Sequence, residues 1–581
     1  MYSVIFHFLS LLLSISLLAG CAGITKLEPQ QAEPNSPEQL QTKPARKAPT
    51  NPLAYYHFLL SQVNLREGRL EEAVEEIKRA IAYDREDPLL RVELATLYIH
   101  KGLLDEAVEE CQAALVHDPD HLSAHLILGG IYTSLKKSRL AIDSYRRAIQ
   151  INPRHRESYL FLSSLYADER EYDQAIRVLQ QFLKIEPESP VGLYYLGRIY
   201  AETKSYEKAK EHFLKALAIE PNMVIVLLDL GVTYEILNEP EKALEVYQKA
   251  LNLDPSNRRA RQRLGQIFIK KKNWDKALDQ FLELQRFDPQ DLDIRTKIGL
   301  IYMDQGKLDQ AILEFNFVLA ANPKNDRVRY YLGAAYAEKE AFAQALSEFS
   351  KIPAESDLFS DSRRSIVLIL RKQNRIEEAI RTMEESIQAK PKDVDLYLIL
   401  AALFEKENQL EKALATLKRG LEHQQEDPDL HFQLGAIYDK LGQFDQMVTE
   451  MKEVLRLNPA HADALNYLGY SYADRGIHLQ EALELIQKAM ALKPNMGYIT
   501  DSLGWVYFNL GDYERAVVEL EKANQLTPDD PIITEHLADV YSKLNRIEKA
   551  IQLYEKAQTL DPKPDQVERL KKKIEELKGK K

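Results

Sequence analysis

Three histidines recur four residues apart, His117, His121 and His125, beside Asp118 and Asp120, residue types that can hold a divalent metal. Pro119 separates the first from the helix that would carry the other two, and no cysteine or further ligand stands near. They therefore read as solvated residues at a helix start. Cys111 stands four residues after Ala107, where other stretches of the chain carry Tyr145, Phe213, Tyr247 and Phe281. Its thiol is expected in a core and not as a nucleophile. The sequence holds no Gly-rich phosphate loop with Lys-Ser/Thr, no Gly-x-Ser-x-Gly elbow and no His-Glu-x-x-His. Catalysis is not expected, and neither is a cofactor, a metal or a small-molecule substrate.

The elements that hold these residues repeat. Proline recurs at Pro119, Pro153, Pro187, Pro221, Pro255, Pro289 and Pro323 in steps of 34 residues, and the register resumes at Pro391, Pro459, Pro494, Pro528 and Pro562. Twelve residues before such positions stands an alanine (Ala107, Ala141, Ala175, Ala209, Ala243), and ten after many of them a glycine (Gly129, Gly197, Gly231, Gly265, Gly299). Three residues beyond each glycine comes an aromatic, as at Tyr132, Tyr200, Tyr234 and Phe268. Small residues let two antiparallel helices approach closely, and a ring three positions on shares their helical face. Proline lacks a donor and ends the second helix. A period this regular is an architecture, and most of the 30 tyrosines follow it as packing residues.

The pattern resembles the tetratricopeptide repeat over about residues 52 to 562. The resemblance implies an all-α superhelical solenoid of α-α repeats, about fifteen units of 34 residues, in which each helix pair buries its apolar face on its neighbours. Residues 563–581 place Val567, Leu570, Ile574 and Leu577 on one stripe among lysines, as a capping helix would. A basic tail for a membrane or a partner is the alternative. Between about 350 and 480 the register is disturbed. Pro353 interrupts a second helix, Val367 and Leu370 stand where Gly and Tyr are usual, and Gln425 and Met447 replace a proline and an alanine. An extra residue falls near Gly476-Ile477-His478. The organisation is read as an N-terminal arm (52–357), irregular units (358–494), C-terminal units (495–562) and the cap (563–581), with the irregular stretch expected to bend or loosen the superhelix.

From Val4 to Gly20 the chain is almost wholly apolar, a length suited to a signal-peptide core, and it closes on Leu18-Ala19-Gly20-Cys21. Those four residues resemble the lipobox of bacterial lipoproteins. The likeness implies that 1–20 is removed and that the Cys21 thiol accepts a diacylglycerol chain. The leader Met1-Tyr2-Ser3 lacks the usual Lys or Arg, and the alternative is an uncleaved anchor. Ala22, in place of aspartate, implies a lipid-anchored place in the outer membrane, facing the periplasm. Residues 21–51, rich in Pro, Gln and Glu, read as a flexible tether.

A formal net charge of -12 offers no positive field for nucleic acid; the expected partners are proteins or peptides, with the membrane reached through the lipid. In the tetratricopeptide family the first helix of each pair lines a concave groove. The resemblance places Tyr194, Arg198, Arg259, Gln262 and Gln266 there in the first arm, and Phe432, Asn466, Tyr470, Asp501, Trp505 and Phe508 in the second. Aromatic, amide and carboxylate groups together are the composition of a peptide hot spot; shaping the inner wall is the other reading. The function expected is a non-enzymatic scaffold or adaptor. Leu465-Asn466-Tyr467-Leu468-Gly469-Tyr470 and Asp501-Ser502-Leu503-Gly504-Trp505 look like long tetratricopeptide lipoproteins of Proteobacteria. That likeness implies presentation of substrates to a periplasmic carboxyl-terminal processing protease. The alternatives are an assembly lipoprotein of a pilus, secretion or exopolysaccharide-export machine, or an enzyme, which would need activity from the body alone.

Overall fold

A computed structural model describes residues 51–579. The proposed signal peptide, Cys21 and all but the last residue of the tether lie outside the described residues, as do Lys580 and Lys581. The described residues form 31 helices and no strand. They divide into two compact units, the first ending at Phe287 and the second beginning at Asp288.

In each unit the helices come as antiparallel hairpins, a first helix of 13 residues such as Val224–Ile236 and a second of 14 such as Pro240–Leu253. Short polar side chains start many first helices: Asn257 accepts from the amide of Ala260, and Asp530 from those of Ile532 and Ile533, satisfying donors that have no partner within the helix. The second helix closes when the Asp254 amide bonds Ala250 O and Pro255 follows without a donor. Between the two helices one residue adopts left-handed backbone. Gly102 and Gly306 do so, but so do Lys136, Arg170 and Glu340.

A Cβ added at Gly231 would lie 2.4 Å from the Tyr247 ring, and one at Gly197 would lie 2.6 Å from that of Phe213. The glycine's space is therefore filled from the second helix, sixteen residues on, while Tyr132 and Tyr234 on the first helix are buried as well. In its own hairpin Cys111 replaces the ring. It is fully buried, and burial pushes its thiol up to about 12.

Most of the second unit shares one continuous apolar core, from Ala345 to Leu577. The break foreseen at Pro353 is present, since the helix Phe342–Ser350 has only 9 residues. It is bridged rather than open. The Arg363 guanidinium donates to Phe349 O at 2.9 Å and Ile352 O at 3.1 Å and lies 4.1 Å over the Phe359 ring, occupying carbonyls that a helix end leaves unsatisfied. The extra residue near 477 is absorbed by left-handed backbone at Gly476 and His478. The last helix, Pro564–Lys578, buries Leu570, Ile574 and Leu577 against the final hairpin. No helix of the described residues is long and apolar enough to cross a membrane.

Candidate functional site

His121 Nδ1 accepts the Ala124 amide at 3.3 Å as the cap of helix Leu122–Ser134, and His125 Nε2 donates to Pro119 O at 3.0 Å. Burial lowers the pKa of His121, against the pull of Asp118 and Asp87. Among the described residues no three His, Cys, Asp or Glu side chains converge on one point.

In the first unit the groove residues sit on the first helices Pro190–Glu202 and Arg258–Lys270, with Val224–Ile236 between them. Tyr194 is buried. Its hydroxyl donates to Asp229 Oδ2 at 3.0 Å, and Arg259 donates to the other oxygen of that carboxylate at 2.9 Å. Burial and the Asp229 charge push the Tyr194 phenol far up. Arg198 lies 5.9 Å over the Tyr194 ring and 3.8 Å from Glu202. Asp229, two residues before Gly231, was not singled out in the sequence, yet it ties Tyr194 to Arg259. Gln262 and Gln266 are half-buried on the last of these helices. The basic residues around them face acids, Arg263 lying 3.8 Å from Glu235 and Lys271 2.5 Å from Glu241.

In the second unit two ladders form. Asn466, Asp501, Glu535 and Arg569 make one, and Tyr470, Trp505, Asp539 and Lys573 the other, with rungs 34 or 35 residues apart. Asn466 and Asp501 are buried rather than presented to solvent. His536 Nδ1 lies 3.0 and 3.1 Å from the two Asp501 oxygens. Its ring stacks on Trp505 with centroids 4.0 Å apart, and Trp505 stacks on Phe508 at 4.7 Å. Burial opposes a charge on His536, but Asp501, Asp539 and Glu535 outweigh it and raise the pKa. Tyr470 lies 6.3 Å from the same imidazole. Phe432 stands apart from this cluster, against His461 at 5.2 Å and Tyr467 at 6.0 Å.

The capping helix continues both ladders. Glu535 accepts from Arg569 at 2.7 Å, Lys573 at 2.8 Å and Gln566 at 2.9 Å. Burial would raise its carboxyl, yet these partners hold it down at about 2. Asp539 accepts from Lys573 at 2.7 Å and from the Tyr554 hydroxyl at 2.5 Å. Glu535 and Asp539 are thus neutralised by the cap.

Open groove surface lies further toward the start of this unit. A cleft of about 450 Å³ runs across the first helices Phe359–Lys372, Val394–Lys406 and Pro428–Lys440. Val367, Ile399 and Ala401 form its buried floor, and Leu368 is 57% exposed in it. Arg364, Arg371 and Lys406 stand on its rim with Glu405 and Asp429. Arg364 is 3.8 Å from Asp395, and Glu405 turns to Lys440. Arg371 and Lys406 meet no carboxylate among the described residues. Val367 and Ala401 occupy the glycine's place in these hairpins. Counting 34 from Gly333 finds them.

Tetratricopeptide repeat profiles match residues 64–131, 236–300, 370–437 and 507–574, and further ones match 122–155, 157–189, 188–256, 296–357 and 428–461. The chain belongs to the tetratricopeptide repeat (TPR) family. TPR proteins bind other proteins or peptides, and the repeats make this chain a protein–protein interaction scaffold. A curated relative, a TPR repeat-containing protein of Pseudomonas aeruginosa, is 47% identical over 58 residues, 10% of this chain and 10% of that protein. The chain therefore spans about a tenth of the length of the curated relative it matches. Among solved structures, YrrB, a TPR protein with an unusual peptide-binding site, aligns at 21% identity over 32% of this chain and 96% of its own, with a TM-score of 0.28. The APC/C heterotetramer Cut9–Hcn1 aligns at 15% identity over 90% of this chain and 96% of that chain, with a TM-score of 0.33.

Proposed function

We propose that this TPR chain is a membrane-tethered adaptor whose second unit holds a segment of a partner protein across the first helices Phe359–Lys372, Val394–Lys406 and Pro428–Lys440. The observation that carries the reading is the cleft itself. Its apolar floor is open, with Leu368 exposed, while Arg371 and Lys406 stand on its rim unpaired with acids among the described residues. An apolar side chain flanked by carboxylates fits that arrangement, since burial supplies affinity and the two cations fix register. Trp505 and Phe508, held by His536, extend the same wall toward the cap as a second place of contact. Lipidation of Cys21 would anchor the adaptor in the outer membrane facing the periplasm, with residues 22–51 as the tether, and its role there is to present substrates to a periplasmic protease.

The test is affinity purification of the tagged protein from crosslinked cells, beside Cys21→Ala and Leu368→Glu variants, with mass spectrometry of what is recovered. A periplasmic protease with wall hydrolases, lost in Leu368→Glu, supports the adaptor. Pilus, secretion or polysaccharide-export components would replace it with an assembly role. A partner set unchanged by Leu368→Glu would move the site off this cleft, and unchanged membrane association of Cys21→Ala would remove the lipid anchor.

A further inference from the structure

The first helix of the described chain, Pro52–Arg66, has two faces of different fate. Ala54 and Ser61 are buried on its inner side, where the Ser61 hydroxyl donates to Ala73 O of the following helix at 2.8 Å. On the opposite side Leu53, Tyr55, Tyr56, Leu59 and Val63 are 52, 42, 56, 44 and 47% exposed. At 100° per residue these five side chains fall on one continuous stripe. No other helix of the described residues exposes more than two large apolar side chains.

The next hairpin shows what this stripe lacks. One period of 34 residues beyond Tyr56 and Val63 stand Leu90 and Leu97, which are 0 and 2% exposed. The same helical face that is closed from the second hairpin on is therefore open in the first.

We propose that this face pairs with its counterpart on a second copy of the chain, giving a two-fold dimer through antiparallel helices Pro52–Arg66. A two-fold axis beside Leu59 and Leu60 sets Tyr56 of one copy against Val63 of the other and Leu59 against Leu60, so the stripe is complementary to itself. Stacking of the stripe on the far end of another copy is disfavoured, because the last helix turns Glu568, Lys571, Lys572, Glu575 and Glu576 outward. The contact is then isologous and closes at two copies instead of growing into a filament. Five large side chains about half exposed amount to roughly 400–500 Å² of apolar surface per copy, within the range of the largest patch on an ordinary monomer. Two such stripes with their rims bring the contact to about 1,000–1,200 Å², the lower limit of a specific interface. The dimer is therefore expected to be weak and concentration-dependent.

The test uses the full chain with Leu59→Cys, which places a thiol beside the axis, and as control Leu313→Cys, at a position 69% exposed in the second unit. Mild oxidation is expected to link Leu59→Cys chains into dimers and to leave Leu313→Cys monomeric. In parallel, sedimentation of the full chain over a concentration series should show a reversible dimer that Tyr56→Lys with Val63→Lys abolishes, while far-UV circular dichroism stays unchanged. A monomer at every concentration with no crosslink would overturn the proposal. So would a dimer that survives the two lysines, or a Leu59→Cys crosslink formed only to a different protein.

Discussion

Replacing Asp501 by asparagine removes a charge and leaves the shape. The parent pair is buried, with side chains 7 and 8% exposed and His536 Nδ1 at 3.0 and 3.1 Å from the carboxylate. Breaking a buried ion pair on one side costs about 3–5 kcal/mol. His536 can shed its proton, and the asparagine oxygen still accepts a bond, so about 2–3 kcal/mol is the value expected here. At 1.36 kcal/mol per tenfold, protection from hydrogen exchange in helices Gly497–Asn509 and Pro531–Lys543 should fall roughly 30- to 150-fold. The pH dependence has a definite sign. The folded pKa of His536 is raised above 6.5, so the pair's contribution is fully present below that unfolded value and is lost as pH rises through the folded one. The gap between parent and Asp501→Asn should be widest at an acid pH below 6.5 and narrow at an alkaline one, above the raised folded value. Exchange measured by mass spectrometry at both values, with the first unit as internal reference, decides the matter. Equal protection at the acid value, or a gap that widens toward the alkaline one, would refute the assignment of a charged His536.

Gly231→Ala puts a methyl group 2.4 Å from the Tyr247 ring, whose hydroxyl donates to Glu235 at 2.7 Å and so resists moving. Overpacking of this kind costs about 1–3 kcal/mol, to be read as a lower denaturant midpoint for the first unit with the second unaffected. Arg363→Ala leaves Phe349 O and Ile352 O without their donor. A loss of about 1–3 kcal/mol confined to 342–372 is expected, and uniform exchange across that stretch in both proteins would remove Arg363 as the bridge.

Much of the fold was legible because a TPR hairpin is specified locally and then repeated. Gly231, Ala243 and Pro255 each have one task that recurs in most hairpins, and 34-residue spacing announced it. The left-handed turn residues were not legible at Lys136, Arg170 or Glu340, because the hairpin imposes a backbone that these side chains do not favour. Site residues were harder to read for a related reason. Asp501 was expected on the inner wall and proves buried; its partner His536 stands 35 residues away on the next first helix, and no local pattern joins them. Arg569 and Lys573 were taken for part of a solubilising cap. Their distance of 34 from Glu535 and Asp539 held the further information that the cap is also the last rung of the ladders. The cleft around Leu368 was not singled out, although Val367 was placed in the glycine's register, because no local pattern marks Leu368 as exposed.

Since each hairpin is held by the neighbours on either side, duplication or loss of any 34-codon stretch of the gene would insert or delete one whole hairpin and rejoin matching faces. Length is in that sense a heritable variable, changed without redesign of a core. Two places resist such editing. A copied segment that includes Pro353 carries a shortened helix and must carry Arg363 with it, and one that includes His478 brings a period of 35 and shifts every rung that follows. The irregular hairpins are therefore the landmarks by which the units of this chain can be told apart and its order of growth read.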